Sequence, residues 1–128
     1  MRLLPDTHLL LWLADGSPNL SAEALALMGD AENEVVFSVA SLWEVAVKFA
    51  LRRPEFQFDP RVLRRGLVDN GYVELDVTAR HALATVSLPP IHKDLFDRLL
   101  IAQATVEGIT LLTADATVLR YPGPIQRV

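Results

Sequence analysis

Apolar and polar positions along this chain switch repeatedly between a strand-like and a helical spacing. Arg2 to Asp6 is a short apolar run, and Thr7 to Ala14 reads as a helix that stops at the turn-forming Asp15-Gly16-Ser17-Pro18. Ser21 to Asp30 predicts a second helix, with Ser21 as its N-cap and Leu25 and Met28 on one face. Glu34 to Ser38 is rich in β-branched and aromatic residues, which predicts a strand. From Val39 to Arg53, Leu42, Val45, Ala46 and Phe49 form one helical stripe, and Arg53-Pro54 ends it.

The second half repeats the alternation. Asp59-Pro60 is a helix start, a capping carboxylate followed by proline at the first helical position, and Gly71 fits the far end. Tyr72 to Asp76 predicts a third strand. Thr78 caps a helix to about Val86, the Leu88-Pro89-Pro90 turn follows, and Asp94 opens a helix that runs to Gly108. Ile109 to Thr113 is a fully apolar strand, Ala114 to Tyr121 a short helix and turn, and Ile125 to Val128 an edge strand. Strands that are apolar on both faces and separated by helices predict a three-layer α/β/α sandwich around a mainly parallel sheet of four to five strands. In such sheets ligands bind beyond the carboxyl ends of the strands, where the strand order reverses.

At 128 residues the chain predicts one domain, spanning residues 1–128, with a core that needs no staples. It is 51% hydrophobic, which excludes disorder, and it has no cysteine, which excludes disulfides and thiolate metal sites. His8, His81 and His92 lack the short spacings of soft-metal sites. No apolar run is long enough to span a bilayer, and Pro5, Asp6 and His8 interrupt what would be a signal's apolar region, so the sequence predicts a cytoplasmic protein.

The formal net charge of −4 gives no overall attraction for nucleic acid, but the charge is unevenly spread. Residues 1–47 hold one basic residue against seven acids, and residues 48–128 hold eleven against nine. Lys48, Arg52, Arg53, Arg61, Arg64 and Arg65 fall within 18 positions beside only Glu55 and Asp59. Such a cluster is either a solvated face or a phosphate-binding patch.

Four acids stand where the predicted strands and helices meet. Asp6 follows the first strand, Glu44 lies less than two turns into the helix after Ser38, and Asp115 follows Thr113. Asp97 lies one turn beyond Asp94 and shares its stripe with Leu100, Ile101 and Ala104. Each also has a purely structural reading. Asp6 and Asp115 can be N-caps, Glu44 can pair with Lys48 four residues on, and Asp94 with Asp97 can form a capping box. If the four converge, their mutual repulsion and desolvation require a cation, and an all-oxygen set selects Mg²⁺ or Mn²⁺. Such an ion suits phosphodiester cleavage, because it acidifies bound water and neutralises phosphoryl oxygens.

Leu3-Leu4-Pro5-Asp6-Thr7-His8, Ser38 to Lys48, His92 to Ala104 and Leu112-Thr113-Ala114-Asp115 resemble the successive blocks of PIN-domain ribonucleases, in order and along essentially the whole chain. They are most similar to the VapC-type toxins of bacterial toxin–antitoxin pairs. The resemblance implies a metal-dependent endoribonuclease in which Asp6, Glu44, Asp97 and Asp115 hold one or two Mg²⁺ or Mn²⁺ ions and activated water attacks phosphorus in line. Thr113 and Asp94 would support the ligands from outside. It also implies a homodimer, a cognate antitoxin partner and an RNA substrate. Pro5 stands where the family usually has an aliphatic residue, and Leu95 where proline is common; neither change removes an acid.

With that resemblance, Arg52, Arg53, Arg61, Arg64 and Arg65 become candidates for holding RNA phosphates beside the cut, and Arg98 for pairing with an acid at the site. Trp12 and Trp43 read as core or dimer contacts before base-stacking platforms. Other strand-end chemistries fail on residues: a receiver domain needs paired acids after the first strand, a dehalogenase-type phosphatase needs Asp-x-Asp where Asp6-Thr7-His8 stands, and the glycines form no phosphate-binding loop. No serine elbow is present. Two alternatives stay open: a PIN nuclease of RNA processing outside a toxin system, and a PIN module that binds RNA or protein without cutting.

Overall fold

The computed structural model describes all 128 residues. In chain order the elements are β1 (Arg2–Pro5), α1 (Thr7–Asp15), α2 (Ala22–Gly29), β2 (Glu34–Ser38), α3 (Val39–Ala50), α4 (Pro60–Asp69), β3 (Val73–Leu75), α5 (Ala79–Ala84), α6 (Leu95–Glu107), β4 (Thr110–Thr113) and β5 (Ile125–Arg127). Five parallel strands form one sheet in the order β3-β2-β1-β4-β5. The chain runs outward from β1 to β3 and returns to the other side of β1 with β4. The strand order therefore reverses between β1 and β4.

Period-2 alternation within fully buried strands sorts side chains to two cores. Leu3, Phe37 and Leu112 face one core with Leu9 and Leu10 of α1, Met28 of α2, Val45 of α3 and Leu63 and Leu67 of α4. Leu4, Val36 and Leu111 face the other with Ala40 and with Leu100, Ile101 and Ala104 of α6. This is the expected α/β/α sandwich. No helix is long and apolar enough to cross a membrane.

Caps fix most helix ends. Asp6, Ser21, Ser38, Asp59, Thr78 and Asp94 each accept an N–H of the following first turn. Gly16 and Gly108 end α1 and α6 with φ of 61° and 66°, a left-handed conformation in which a Cβ is strained. Pro5 leaves the neighbouring residue in place. Parallel β1–β2 register runs through Arg2↔Glu34 and Leu3↔Val35, short of the proline, while Asp6 N–H still bonds the Leu112 carbonyl at 2.9 Å.

Some boundaries differ from the sequence reading. α3 stops at Ala50 rather than Arg53, because Pro54 disfavours helical backbone before it; Arg52 takes φ 55°. Leu25 is exposed while Met28 is buried, since Ala24 and Met28, four apart, form the inward stripe of α2. Thr78 holds its helix only to Ala84, and a 3-10 turn over Thr85–Ser87 follows. Between Ala114 and Tyr121 only Val118–Arg120 forms a turn of 3-10 helix.

Candidate functional site

Asp6 leaves β1 directly into the first turn of α1, which buries its carboxylate at 5% exposure. Its Oδ1 accepts Leu9 N–H at 3.0 Å and its Oδ2 accepts the Thr113 hydroxyl at 2.6 Å. Burial pushes this carboxyl above the usual range; the Thr113 and Leu9 bonds and the His8 charge pull it down, and Asp115 pushes it further up. Thr113 ends β4 on the other side of the switch point. Its Oγ1 also accepts Asp115 N–H at 3.0 Å, so one buried hydroxyl ties two acids together across the β1–β4 boundary. Asp115 itself is exposed and caps the following turn through Thr117 N–H at 2.7 Å and Val118 N–H at 3.3 Å.

The other two acids meet across α3 and α6. Glu44 is 5% exposed; its Oε2 accepts Lys48 Nζ at 2.8 Å, and its buried Oε1 has no hydrogen-bond partner. Asp97 sits in the first turn of α6, where Asp94 caps its N–H at 3.0 Å. Its carboxyl is pushed up to about 6, first by burial and also by the negative charges of Asp94 and Glu44, while the His92 hydrogen bond and charge pull it down. The two pairs are joined through the Thr7 hydroxyl, which donates to Ser41 Oγ at 2.9 Å and so links the residue after Asp6 to the turn before Glu44.

His92 is the neighbour of Asp97 that pattern reading misses. Its Nε2 lies 3.1 Å from Asp97 Oδ2 and its Nδ1 2.7 Å from the Tyr121 hydroxyl. That hydroxyl also accepts Arg98 Nη1 at 3.0 Å and His92 N–H at 3.2 Å, so its own proton goes to Nδ1 and Nε2–H donates to Asp97. The available signal is position: the Asp94 cap turns the chain just ahead of it back over the first turn of α6. Arg98 corrects the sequence reading, because it pairs with no acid and donates instead to the carbonyls of Pro89 at 2.9 Å and Thr85 at 3.2 Å.

The arginines divide. Arg61 is bonded to Asp59 at 3.0 Å, and Arg64 forks onto Glu74 of β3 at 2.6 and 3.3 Å. Arg52, Arg53 and Arg65 make no ion pair. Arg52 and Arg53 line a cleft with Phe49, Pro54 and Phe56 beyond the end of α3. A large cleft of about 1030 Å³ between the end of α1, residues 54–59 and α4 is lined by none of Asp6, Glu44, Asp97 and Asp115.

Most structural readings of the acids hold: Asp6 and Asp115 cap turns and Glu44 is ion-paired, while Asp94 caps α6 alone, with no return bond from Asp97 to make a capping box. No three His, Asp or Glu side chains come close enough to hold an ion as they stand. What the fold provides is two carboxylate pairs with free oxygen valences, one orphaned buried oxygen on Glu44, and a net negative field. That donor chemistry fits a hard cation that keeps several of its waters, as Mg²⁺ does when one or two carboxylates hold it.

No curated protein sequence matches the chain. Among solved structures, VapBC2 from Rickettsia felis bound to a promoter DNA fragment is similar with a TM-score of 0.72 at 15% identity, covering 99% of this chain and 98% of that one. A toxin–antitoxin complex from Klebsiella pneumoniae is similar at 0.65 and 20% identity over 97% and 95% of the two chains. DNA-bound VapBC from Salmonella typhimurium is similar at 0.64 and 15% identity over 99% and 98%. The family model of the PIN domain matches residues 3–124, and with its acids at the β1–β4 switch point the chain belongs to the PIN-domain family.

Proposed function

We propose that this PIN domain is a divalent-metal-dependent endoribonuclease and the toxin of a toxin–antitoxin pair. The observation that carries the reading is a buried Glu44 oxygen that nothing in the protein satisfies, on a helix that the Thr7–Ser41 hydrogen bond ties to the Asp6–Thr113–Asp115 bridge. Asp6, Glu44, Asp97 and Asp115 would hold Mg²⁺ or Mn²⁺, which when bound acidifies a water and neutralises phosphoryl charge. Thr113 holds Asp6 and Asp115 in register; His92 holds Asp97; Asp94 fixes the turn on which Asp97 stands. Arg52, Arg53 and Arg65 are the cations left free for RNA phosphates.

The toxin half of the reading is supported by similarity to two VapBC complexes and a third toxin–antitoxin complex. The large cleft suits an antitoxin segment: Leu13, Phe58, Leu63 and Leu67 line it, and Asp15 and Asp69 add negative charge, so an apolar segment with basic flanks is its natural complement. A homodimer is supported by Trp43, Val47 and Leu51, an exposed apolar row at positions i, i+4 and i+8 that would be covered by a second copy. The pair would act in the cytoplasm.

Purified, antitoxin-free protein incubated with total RNA tests the reading. Cleavage should require Mn²⁺ or Mg²⁺, stop with EDTA, and fall by at least about 100-fold in Asp97→Asn. Equal cleavage in all three conditions contradicts the metal mechanism. Tight RNA binding without cleavage would instead favour a binding module.

A further inference from the structure

We infer that Gln103 is a positioning residue: by clamping the start of α3 to the middle of α6, it sets the separation of Glu44 and Asp97. The clamp stands on its own geometry; its consequence for metal binding rests on the nuclease reading above.

Gln103 is fully buried, and its amide is spent in several directions. Oε1 accepts the Ser38 hydroxyl at 2.5 Å. Nε2 donates to the Asp76 carbonyl just past β3 at 3.2 Å and to His81 Nδ1 at 3.3 Å. A flipped amide would set oxygen against the Asp76 carbonyl, so the orientation is fixed. His81 Nδ1 also receives Thr78 N–H at 3.0 Å, so it carries no proton, and Nε2–H donates to Glu107 Oε2 at 2.8 Å. The Ser38 hydroxyl meanwhile caps α3 by accepting Ala40 N–H at 3.0 Å. One side chain thus holds together the β2–α3 junction, the end of β3, α5 and α6.

The lever follows from counting along the helices. Glu44 lies six residues after Ser38 and Asp97 six residues before Gln103, so each carboxylate stands about 9 Å along its helix from the clamp. At the level of the two carboxylates, one residue from each, the Trp43 and Phe96 rings meet edge-on, 5.1 Å between centroids. The helices therefore run antiparallel along one seam, with the Ser38–Gln103 bond at one end and two like charges at the other. Repulsion at the charged end tends to open the seam, and the clamp resists it. Methionine would fill the same space, so the amide's distinct contribution is direction rather than bulk.

The chain has no cysteine, which allows spin labels at Ala50→Cys on α3 and Leu95→Cys on α6, both exposed positions. Dipolar EPR on labelled protein diluted with unlabelled chain reads the distance within one molecule. Gln103→Met should broaden this distance and move it from the native value, and should weaken Mn²⁺ binding, measured by calorimetry, by about tenfold, the lower end of losses on removing outer supports of metal ligands. The KM for RNA should stay unchanged. Ser38→Ala should move the distance in the same direction and Ser38→Thr, which keeps hydroxyl and cap, should not; this pair decides the question if Gln103→Met does not fold. A folded Gln103→Met with the native distance overturns the clamp, whatever its melting temperature. Wild-type protein that binds no Mn²⁺ overturns the nuclease reading, while the distance measurement still judges the clamp.

Discussion

Asp6 and Asp97 hold their protons more tightly than ordinary carboxyls, because the backbone buries both and sets other carboxylates near them. Asp97 is the clearest case, with its carboxyl raised from 3.8 to about 6. The folded state then holds this proton more tightly than the unfolded chain, so the stability it contributes is fully present below 3.8 and lost as pH rises through about 6. Asp97→Asn should therefore stabilise metal-free protein near neutral pH by on the order of 1 kcal/mol, less than the full shift because the side chain keeps some solvent contact, and should have little effect near pH 4. Urea unfolding at the two pH values checks this, and destabilisation at neutral pH contradicts it. Thr113 offers a second test. Thr113→Val strands Asp115 N–H and removes a donor from Asp6, which should cost about 1–3 kcal/mol and move the acid limb of the cleavage pH profile upward. An unshifted profile in a folded variant would separate Thr113 from the site.

Among the elements, the strand-to-helix junctions decide the site, and these are legible in sequence. An apolar run followed by Asp6-Thr7, by Ser38, or by Thr113-Ala114-Asp115 marks both a strand end and a cap, because one short polar side chain does both jobs. What the sequence does not reveal depends on contacts between distant segments. Glu74 reaches Arg64 only because β3 lies beside α4, and Arg98 turns to carbonyls because the Leu88-Pro89-Pro90 turn folds against it. Neither partner lies within a helical repeat of its arginine. The same contacts predict a split among the cations. Arg53→Ala should lower the slope of log KM for RNA against log salt by about 0.7, as expected for one lost single-strand phosphate contact. Arg61→Ala should leave that slope unchanged, since Asp59 already holds the guanidinium. Equal effects at both positions would contradict the assignment.

For the whole molecule, the order β3-β2-β1-β4-β5 draws residues from distant parts of the chain into two acidic pairs, one at the β1–β4 boundary and one across α3 and α6. Placing β4 beside β1 brings Thr113 onto Asp6 across 107 residues of sequence, and the seam between α3 and α6 adds Glu44 and Asp97. Burial of the two cores on either side of the sheet must hold this concentration of negative charge together, and a cation is the natural offset. Calorimetric titration of metal-free protein with Mn²⁺, beside Asp6→Asn, Glu44→Gln, Asp97→Asn and Asp115→Asn, tests that claim most directly. Saturable binding that each of the four substitutions weakens is the predicted result. No binding by the wild-type protein, or binding that survives all four changes, would contradict it.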